Sequence, residues 1–465
     1  MKLTKQLSLF DFTIIMVSLV IGMGIFRTPA NVAKAVSSPA IFYAAWIVGG
    51  LIALCGALTY AEIGSRMPIT GGYYKVIAFA YHPSIAFAIN CIILVSNAAS
   101  LAAVALVGGE YITGVLIPQS QHSDWLSNPA NAQYIQHIHI VIAISAIIIF
   151  YGVNLLGLKM SARAQNVLTI IKILMVIALI SPLFFATLSS SHAVVTSVTK
   201  TTPVLTEYLK SFGVGLVAVS FTYGGYQQTI NFGEEVVNPK KTIPRGIFLG
   251  VIIIISLYLL INYAYVNVIG FEELKSAKNI AAIMASKVFG INAERILSVL
   301  LFLSVLAYVN ILLMSNPRVM AAMSDDKILP PAFKKRNAKT ETLTTSLTVF
   351  SILCVFIIFW AKEFDSILSF TIFLDCFGMA FSAGSIFIIR KKTPYLDDSG
   401  IYMMRFYPLL PLIFIAAYTF VGVSILITDT KISLIGLAVL AAFIILYFVA
   451  EKMKKQKAIK NSINQ

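Results

Sequence analysis

Two pairs of glycines interrupt long apolar stretches of this chain, and a helix broken at such places could bind a ligand. Gly22 and Gly24 lie within the apolar stretch 9–26, and Gly224 and Gly225 interrupt a second apolar stretch about 200 residues later. Each glycine costs a helix about 0.5–1 kcal/mol relative to alanine. A lipid bilayer has no water to satisfy freed peptide groups, so unwound helix is tolerated there only where it lines a cavity or binds something. One break is equally consistent with close helix packing, but two in corresponding places predict a binding site.

The chemistry of the breaks follows from the peptide groups that they expose. The half-helix that begins near Met23 offers N–H groups and the positive end of a helix dipole, which suit a carboxylate. The half-helices that end near Ile21 and Phe221 offer carbonyl groups, which suit an ammonium group. Two facing breaks therefore match a zwitterionic α-amino acid.

The side chains beside the second break indicate what kind of amino acid would bind. Phe221, Tyr223 and Tyr226 lie there, and we expect them to bind or gate the ligand, with simple packing as the alternative. The sequence around the breaks contains no obvious acid for a cationic side chain, which favours neutral amino acids. Cationic amino acids or polyamines remain the alternative, and a pocket facing Asp375 or Glu110 would favour them.

Polar residues inside the apolar stretches form a second group of candidates. Lys172 lies in VLTIIKILMVIAL, and a charge at the centre of a membrane helix costs about 2.5–3.5 kcal/mol, so it should face the protein interior. We expect a role in function, against a snorkelling or structural lysine as the alternative. Asp375 could bind a proton, hold a helix by a hydrogen bond or pair with a neighbour, and a structural role is favoured. Intramembrane asparagines are expected to form hydrogen bonds between helices; they are Asn97, Asn154, Asn262 and Asn310.

Composition defines the class of protein that must position these residues. The 465 residues are 58% hydrophobic and 12% charged, whereas soluble domains carry about 25% charged residues. The chain is therefore expected to be a multi-pass protein of the plasma (inner) membrane. Its formal net charge of +15 concentrates in alternate loops and in the tail, which predicts cytoplasmic termini and argues against nucleic acid as the partner. No cleavable signal peptide is evident, and the lone His137-x-His139 pair does not predict a metal site.

The apolar stretches predict twelve spans. They are 9–35, 40–66, 76–117, 135–157, 162–188, 207–236, 245–270, 293–323, 342–361, 364–391, 406–428 and 432–451. Spans one to five (about 9–188) and six to ten (about 207–391) correspond in order, and repeats with an odd number of spans invert in the membrane. Residues 1–391 thus form a core of two inverted repeats, and 392–465 add two helices and a basic tail. Segment 272–290 is expected as a short helix over the outer face, with a surface loop as the equal alternative.

Three long motifs identify a family that the chain resembles. IGMGIFRTP (21–29), YAEIGSRMPITGGYY (60–74) and FTYGGYQQTINFGEEVVNP (221–239) resemble the amino acid–polyamine–organocation superfamily, closest to its L-type amino acid transporter branch. The resemblance implies an all-α, LeuT-like fold of two five-helix inverted repeats, with helices 1 and 6 broken, that moves amino acids by alternating access. The chain departs from the family pattern at Met23, where a serine is usual, and at Tyr226, where L-type members often carry tryptophan.

The resemblance also implies roles for individual residues. It places substrate contacts at the backbone of Ile21, Gly22, Met23, Gly24 and Ile25, an aromatic gate at Phe221, and further contacts at Tyr223, Gly224 and Gly225. A fifth-span lysine of the family abuts the first break in place of a sodium ion. This implies that Lys172 meets the carbonyls near Ile21 and polar groups such as Ser304, and could carry a coupling proton.

The sequence thus predicts a secondary active transporter, acting as an amino acid exchanger or a proton-coupled symporter. It contains no P-loop, H-E-x-x-H or G-x-S-x-G motif, which argues against primary transport and against an enzyme. We expect no cofactor, and the expected partners are the amino acid, the lipid bilayer and, for a symporter, a proton. Paired broken helices fit a closed midplane site better than an open channel. The oligomeric state is not predicted.

Overall fold

The chain folds into helices throughout the part that the structure describes. The computed structural model describes residues 5–116, 129–185, 205–277, 279–359, 364–397 and 400–463. Within these ranges the only β-type pairings are two isolated bridges, one between Leu7 and Val236 and one between Thr70 and Phe232. The expected all-α architecture is therefore confirmed.

Seventeen α-helices are described. The first eight are α1 (Leu9–Val20), α2 (Gly24–Ala35), α3 (Pro39–Arg66), α4 (Gly72–Ala80), α5 (Pro83–Leu116), α6 (Pro129–Leu155), α7 (Leu158–Ile180) and α8 (Pro182–Phe185). The remaining nine are α9 (Leu205–Tyr223), α10 (Pro239–Val268), α11 (Phe271–Ser276), α12 (Ile280–Phe289), α13 (Ile291–Asp325), α14 (Thr344–Ile358), α15 (Phe364–Lys392), α16 (Leu409–Thr428) and α17 (Thr430–Ile463).

Local sequence explains where the helices that matter most begin. Ser8 caps α1 through a capping box, in which the Ser8 hydroxyl accepts from the Asp11 N–H and the Asp11 carboxylate accepts from the Ser8 N–H at 3.1 Å. Ser38 caps α3 through a single bond, in which its hydroxyl accepts from the Ile41 N–H, and Pro39 occupies the first helical position. These caps define the starts of α1 and α3, the helices that precede and follow the segment containing the first break.

Nine apolar helical segments of the described residues are long enough to cross a membrane. The spans predicted at 207–236, 342–361 and 432–451 appear as shorter apolar helices, Ser211–Ser220, Thr344–Ile358 and Ser433–Val449. Length and hydropathy therefore show a multi-pass helical protein but do not by themselves reach the predicted count of twelve. The segment predicted as one short helix at 272–290 forms two, α11 and α12, and the buried Leu274 and Ile280 pack both of them onto the protein.

The core lies around the two interrupted helices. α1 packs against α7, α10 and α13, while α9 packs against α2, α3 and α16. Residues 12–20 of α1 are all buried, whereas outward-facing side chains such as Ile149 and Ile352 are about 60% exposed. An apolar exterior around a core that contains polar residues is the arrangement expected of a protein surrounded by lipid.

Candidate functional site

The first helix breaks where the glycine pair predicts. α1 ends at Val20, and the Gly22 N–H turns back to the Val20 carbonyl at 2.7 Å. α2 begins at Gly24, and its N-cap residue Met23 makes no side-chain capping hydrogen bond. The first N–H groups of α2 have no acceptor within their own helix. The break thus presents donors and a positive dipole end at one point in the core.

The second helix breaks two residues later than its predicted end near Phe221. α9 continues to Tyr223, and the chain then passes through Gly224 and Gly225 into a 3-10 helix at Tyr226–Asn231. Gly225 has φ +115°, a backbone conformation that favours glycine, and its N–H donates to Gln227 Oε1 at 2.9 Å. A Cβ at Gly225 would collide with the carbonyl group of Leu19. The two breaks therefore lie directly against each other.

A cavity of about 100 Å³ lies beside both breaks, which is roughly the volume that three water molecules fill in the liquid at about 30 Å³ each. Gly22, Met23, Gly24, Gly224 and Gly225 line it on the side of the breaks. The opposite walls come from α5, α13, α15 and α16, and the polar residues there are Asn97, Ser100, Tyr308, Asp375 and Tyr418. Five of the ten residues predicted for the binding site are thus brought together around one cavity.

The other predicted residues lie elsewhere. Ile21 and Ile25 are fully buried and are not among the cavity-lining residues. Tyr223 is also buried, and its ring packs against Trp46 and Tyr258.

Tyr226 and Phe221 complete the set of predicted aromatic residues. Tyr226 packs edge-on against Tyr60 and is fully enclosed. Like Tyr223, it supports the wall behind the break. The side chain of Phe221 lies outside the described part of the chain, so its predicted role as a gate stays a prediction.

Sequence reasoning missed the aromatic and hydroxyl residues of the opposite walls. Tyr308 lies 3.6 Å from the position that a Cβ on Gly22 would take, and its hydroxyl forms a hydrogen bond of 2.7 Å with Ser100. Both are ordinary residues of apolar helices, without a motif to mark them. Asn97 was expected only to link helices, and it does so by donating to Asn316 Oδ1 at 2.7 Å, yet it also lines the cavity.

Lys172 reaches the first break from α7. Its fully buried Nζ donates to the Ile21 carbonyl at 2.6 Å. The Ser304 hydroxyl, by contrast, donates to Leu300 in its own helix at 3.0 Å, and no hydrogen bond joins it to Lys172 in the described structure. A charged donor on a carbonyl of the break fixes the peptide that separates α1 from α2.

Two further side chains of α7 bind α1 below the break. Asn166 donates to Asp11 Oδ1 at 2.6 Å, and Gln165 donates to the Ser18 hydroxyl. Gln165 Oε1 in turn accepts from Asn310 of α13 at 2.7 Å. Together with Lys172, these contacts hold the first half of the broken helix against α7.

Asp375 faces the cavity from α15. It shares one helical stripe with Ile372 and Met379, three and four residues away, and all three line the cavity. Asp375 forms no ion pair with any described residue, and the buried Ser96 hydroxyl is a neighbour of its carboxyl group. Glu110, the other acid considered, instead forms an ion pair of 3.0 Å with Arg27.

Two buried ion-pair clusters close the end of the bundle where α3 ends and α10 begins. Glu62 accepts from Arg66 Nε at 2.8 Å and from two nitrogens of Arg390 at 2.7 Å each. Glu235 accepts from Arg318 Nε at 2.6 Å. We call this end of the molecule the paired end.

The amino-terminal segment adds a backbone contact at the paired end. The N–H groups of Gln6 and Leu7 donate to the Glu235 carbonyl, and the Val237 N–H donates to the Leu7 carbonyl. The segment before α1 is thereby joined to the segment that follows the second break.

Comparison with known proteins places this arrangement in a class. The sequence pattern of the amino acid permease family matches residues 7–450, which is nearly the whole chain, so the chain belongs to that family. It is 26% identical over 459 residues to the serine/threonine exchanger SteT of Bacillus subtilis (strain 168), covering 98% of each chain.

More distant animal proteins are also similar. The chain is 24% identical over 453 residues to the large neutral amino acids transporter small subunit 2 of Homo sapiens, covering 96% of this chain and 80% of the relative. It is 25% identical over 401 residues to the cystine/glutamate transporter of Homo sapiens, covering 84% and 75%. The L-type-like resemblance of the sequence motifs is therefore confirmed.

Proposed function

We propose that this protein exchanges small amino acids across a membrane by alternating access. The observation that carries the proposal is the cavity between two broken helices, because unpaired peptide donors and acceptors inside a bilayer are stable only where they are satisfied by protein or ligand. Membership of the amino acid permease family and similarity to a serine/threonine exchanger support the same activity.

The breaks provide a place for each charge of the zwitterion. The substrate carboxylate would accept from the uncapped N–H groups at the start of α2, around Met23, Gly24 and Ile25. The ammonium group would donate to carbonyls at the end of α9, near Tyr223. The close approach of Gly225 to the Leu19 carbonyl supports the proposal that one α-amino acid reaches both subsites.

The size of the cavity favours small substrates. A volume of about 100 Å³ is comparable to the space that the non-hydrogen atoms of serine or threonine fill, and it is too small for tryptophan in this conformation. Relatives named for serine, threonine and large neutral amino acids favour a neutral substrate. The presence of Asp375 in the wall favours a cationic amino acid as the second candidate.

Lys172 is proposed to couple substrate binding to the position of the first half-helix. Its hydrogen bond to Ile21 joins α7 to the break that the substrate would bind. Movement of α1 away from α7 would have to break this bond together with those of Gln165 and Asn166. Lys172 and Asp375 are the ionisable residues that we propose would carry a proton if one moves with the substrate. Ser304, the third predicted coupling residue, is proposed only to support α13.

We infer the membrane arrangement from the charge distribution. Nine long apolar segments and three shorter ones together give the twelve predicted spans, in two inverted five-span repeats with two additional helices. Basic residues near the paired end and in the tail would face the cytoplasm of the plasma membrane, with both termini on that side. The ion pairs of Glu62 and Glu235 would then hold the cytoplasmic side closed.

Exchange in proteoliposomes tests the proposal. Purified protein reconstituted into vesicles should take up labelled serine only when the vesicles contain an unlabelled amino acid. A proton symporter would instead take it up into empty vesicles under an inward proton gradient. Vesicles that show neither activity, with any of a panel of amino acids, would contradict the proposed function.

A further inference from the structure

Asp375 stands out because no described residue forms an ion pair with it. Among the described residues that line the cavity, it is the only one with a charged side chain. The buried acids Glu62 and Glu235, by contrast, each have arginine partners. A carboxylate in a region poor in water costs several kcal/mol when it has no charged partner, and either a proton or a donor group on a bound substrate would offset that cost.

The position of Asp375 relative to the breaks indicates which part of a bound substrate would reach it. The breaks occupy one wall of the cavity, and Asp375 belongs to the wall formed by α15. Tyr308 and Tyr418 also line the cavity, so the wall opposite the breaks presents phenol hydroxyl groups as well as the Asp375 carboxyl group. A substrate whose carboxylate and ammonium group occupy the breaks would therefore direct its side chain toward this acidic and phenolic wall.

We propose that Asp375 forms a side-chain subsite, which accepts a hydrogen bond from a donor group on the substrate side chain. This inference rests on the proposed function. A hydroxyl group, as in serine and threonine, and an ammonium group, as in ornithine and lysine, share that chemistry. A methyl group at the same place would leave the carboxylate unsatisfied, and sites that hydrogen-bond a substrate group discriminate strongly against analogues that lack it.

The test compares matched substrate pairs in the exchange assay. Serine against alanine isolates the hydroxyl group, and ornithine against norvaline isolates the ammonium group. Wild-type protein should prefer the donor-bearing member of at least one pair by about ten-fold or more in KM. Asp375→Leu should reduce that preference to about one.

Asp375→Asn separates the two sources of the donor. It keeps an acceptor oxygen but removes the charge, so a preference for serine should persist in part, whereas a preference for ornithine should be lost. Ser385→Ala is the matched control on the same helix, because Ser385 is not among the cavity-lining residues and its hydroxyl donates to the Phe381 carbonyl at 3.0 Å, and it should keep the wild-type preference.

The outcomes distinguish this inference from the function on which it rests. Wild-type protein that exchanges amino acids without preference within either pair would overturn the subsite alone, as would an unchanged preference in Asp375→Leu. Protection of the wild-type protein against heat by serine or ornithine, relative to alanine or norvaline, gives the same comparison if a variant fails to fold. Wild-type vesicles that exchange no amino acid would overturn the proposed function itself.

Discussion

Replacing Lys172 by methionine removes one interaction from the first break with little change in side-chain length. The Lys172 ammonium donates to the Ile21 carbonyl at 2.6 Å in a fully buried position. A hydrogen bond from a charged group contributes about 1.5–3 kcal/mol, and methionine would also leave the carbonyl without this donor. If the break must keep its geometry to bind substrate, the affinity should fall about 10- to 140-fold.

The assay is serine exchange in proteoliposomes at several external concentrations, together with size-exclusion chromatography to show that the variant is folded. We expect KM to rise by at least about ten-fold, or transport to be lost. Lys159→Met is the control, since Lys159 is on the same helix but exposed at its end, and it should behave like the wild type. A folded Lys172→Met protein with wild-type KM and turnover would refute the reasoning that Lys172 holds the site.

Three further predictions concern the breaks and the paired end. Gly225→Ala should lower both stability and exchange, because it combines φ +115° with a collision against the backbone of α1. Gly22→Ala meets only ordinary contacts with a tyrosine ring and should unfold near the wild-type temperature, so equal thermal unfolding of the two variants would contradict this. Glu62→Gln should destabilise the protein by about 3–5 kcal/mol, because it leaves the charges of buried arginines unbalanced. The control Glu272→Gln, at a side chain that is 82% exposed, should not change thermal unfolding, and a wild-type melting curve for Glu62→Gln would contradict the prediction. Glu235→Gln weakens the ion pair with its arginine partners, so a cysteine introduced into the cavity should react faster with a membrane-impermeant thiol reagent added on the cytoplasmic side. Labelling equal to that of the same cysteine in an otherwise wild-type protein would count against a closing role.

The sequence predicted the breaks well because their cause is local. A glycine pair in an apolar helix has few structural explanations, and α1 ends at Val20 and resumes at Gly24 as expected. The contact of Lys172 with the first break could also be anticipated from the resemblance. Burial of a lysine in lipid is so costly that a partner inside the protein is required.

The walls of the cavity could not be predicted in the same way. Tyr308 and Ser100 come from helices more than 200 residues apart in the chain, and only tertiary packing brings them together. Tyr223 was expected to contact substrate because it adjoins the second break, yet helical geometry turns its ring toward Trp46. Sequence proximity to a break therefore does not establish which side chains face the cavity.

Asp375 shows how the same limit affects specificity. Its sequence neighbours are apolar, and the second break contains no acid, so a neutral substrate was the natural expectation. The stripe that Asp375 shares with Ile372 and Met379 becomes a cavity wall only when α15 packs beside the breaks. Substrate preference is thus decided by residues that no local motif marks.

A structure of the protein in a lipid nanodisc with a bound amino acid would show directly whether the two breaks form the binding site. We expect the carboxylate at the N–H groups between Met23 and Ile25 and the ammonium group at the carbonyls where α9 ends. Density for the amino acid at any other place, with the cavity beside Gly22 and Gly225 empty, would contradict it.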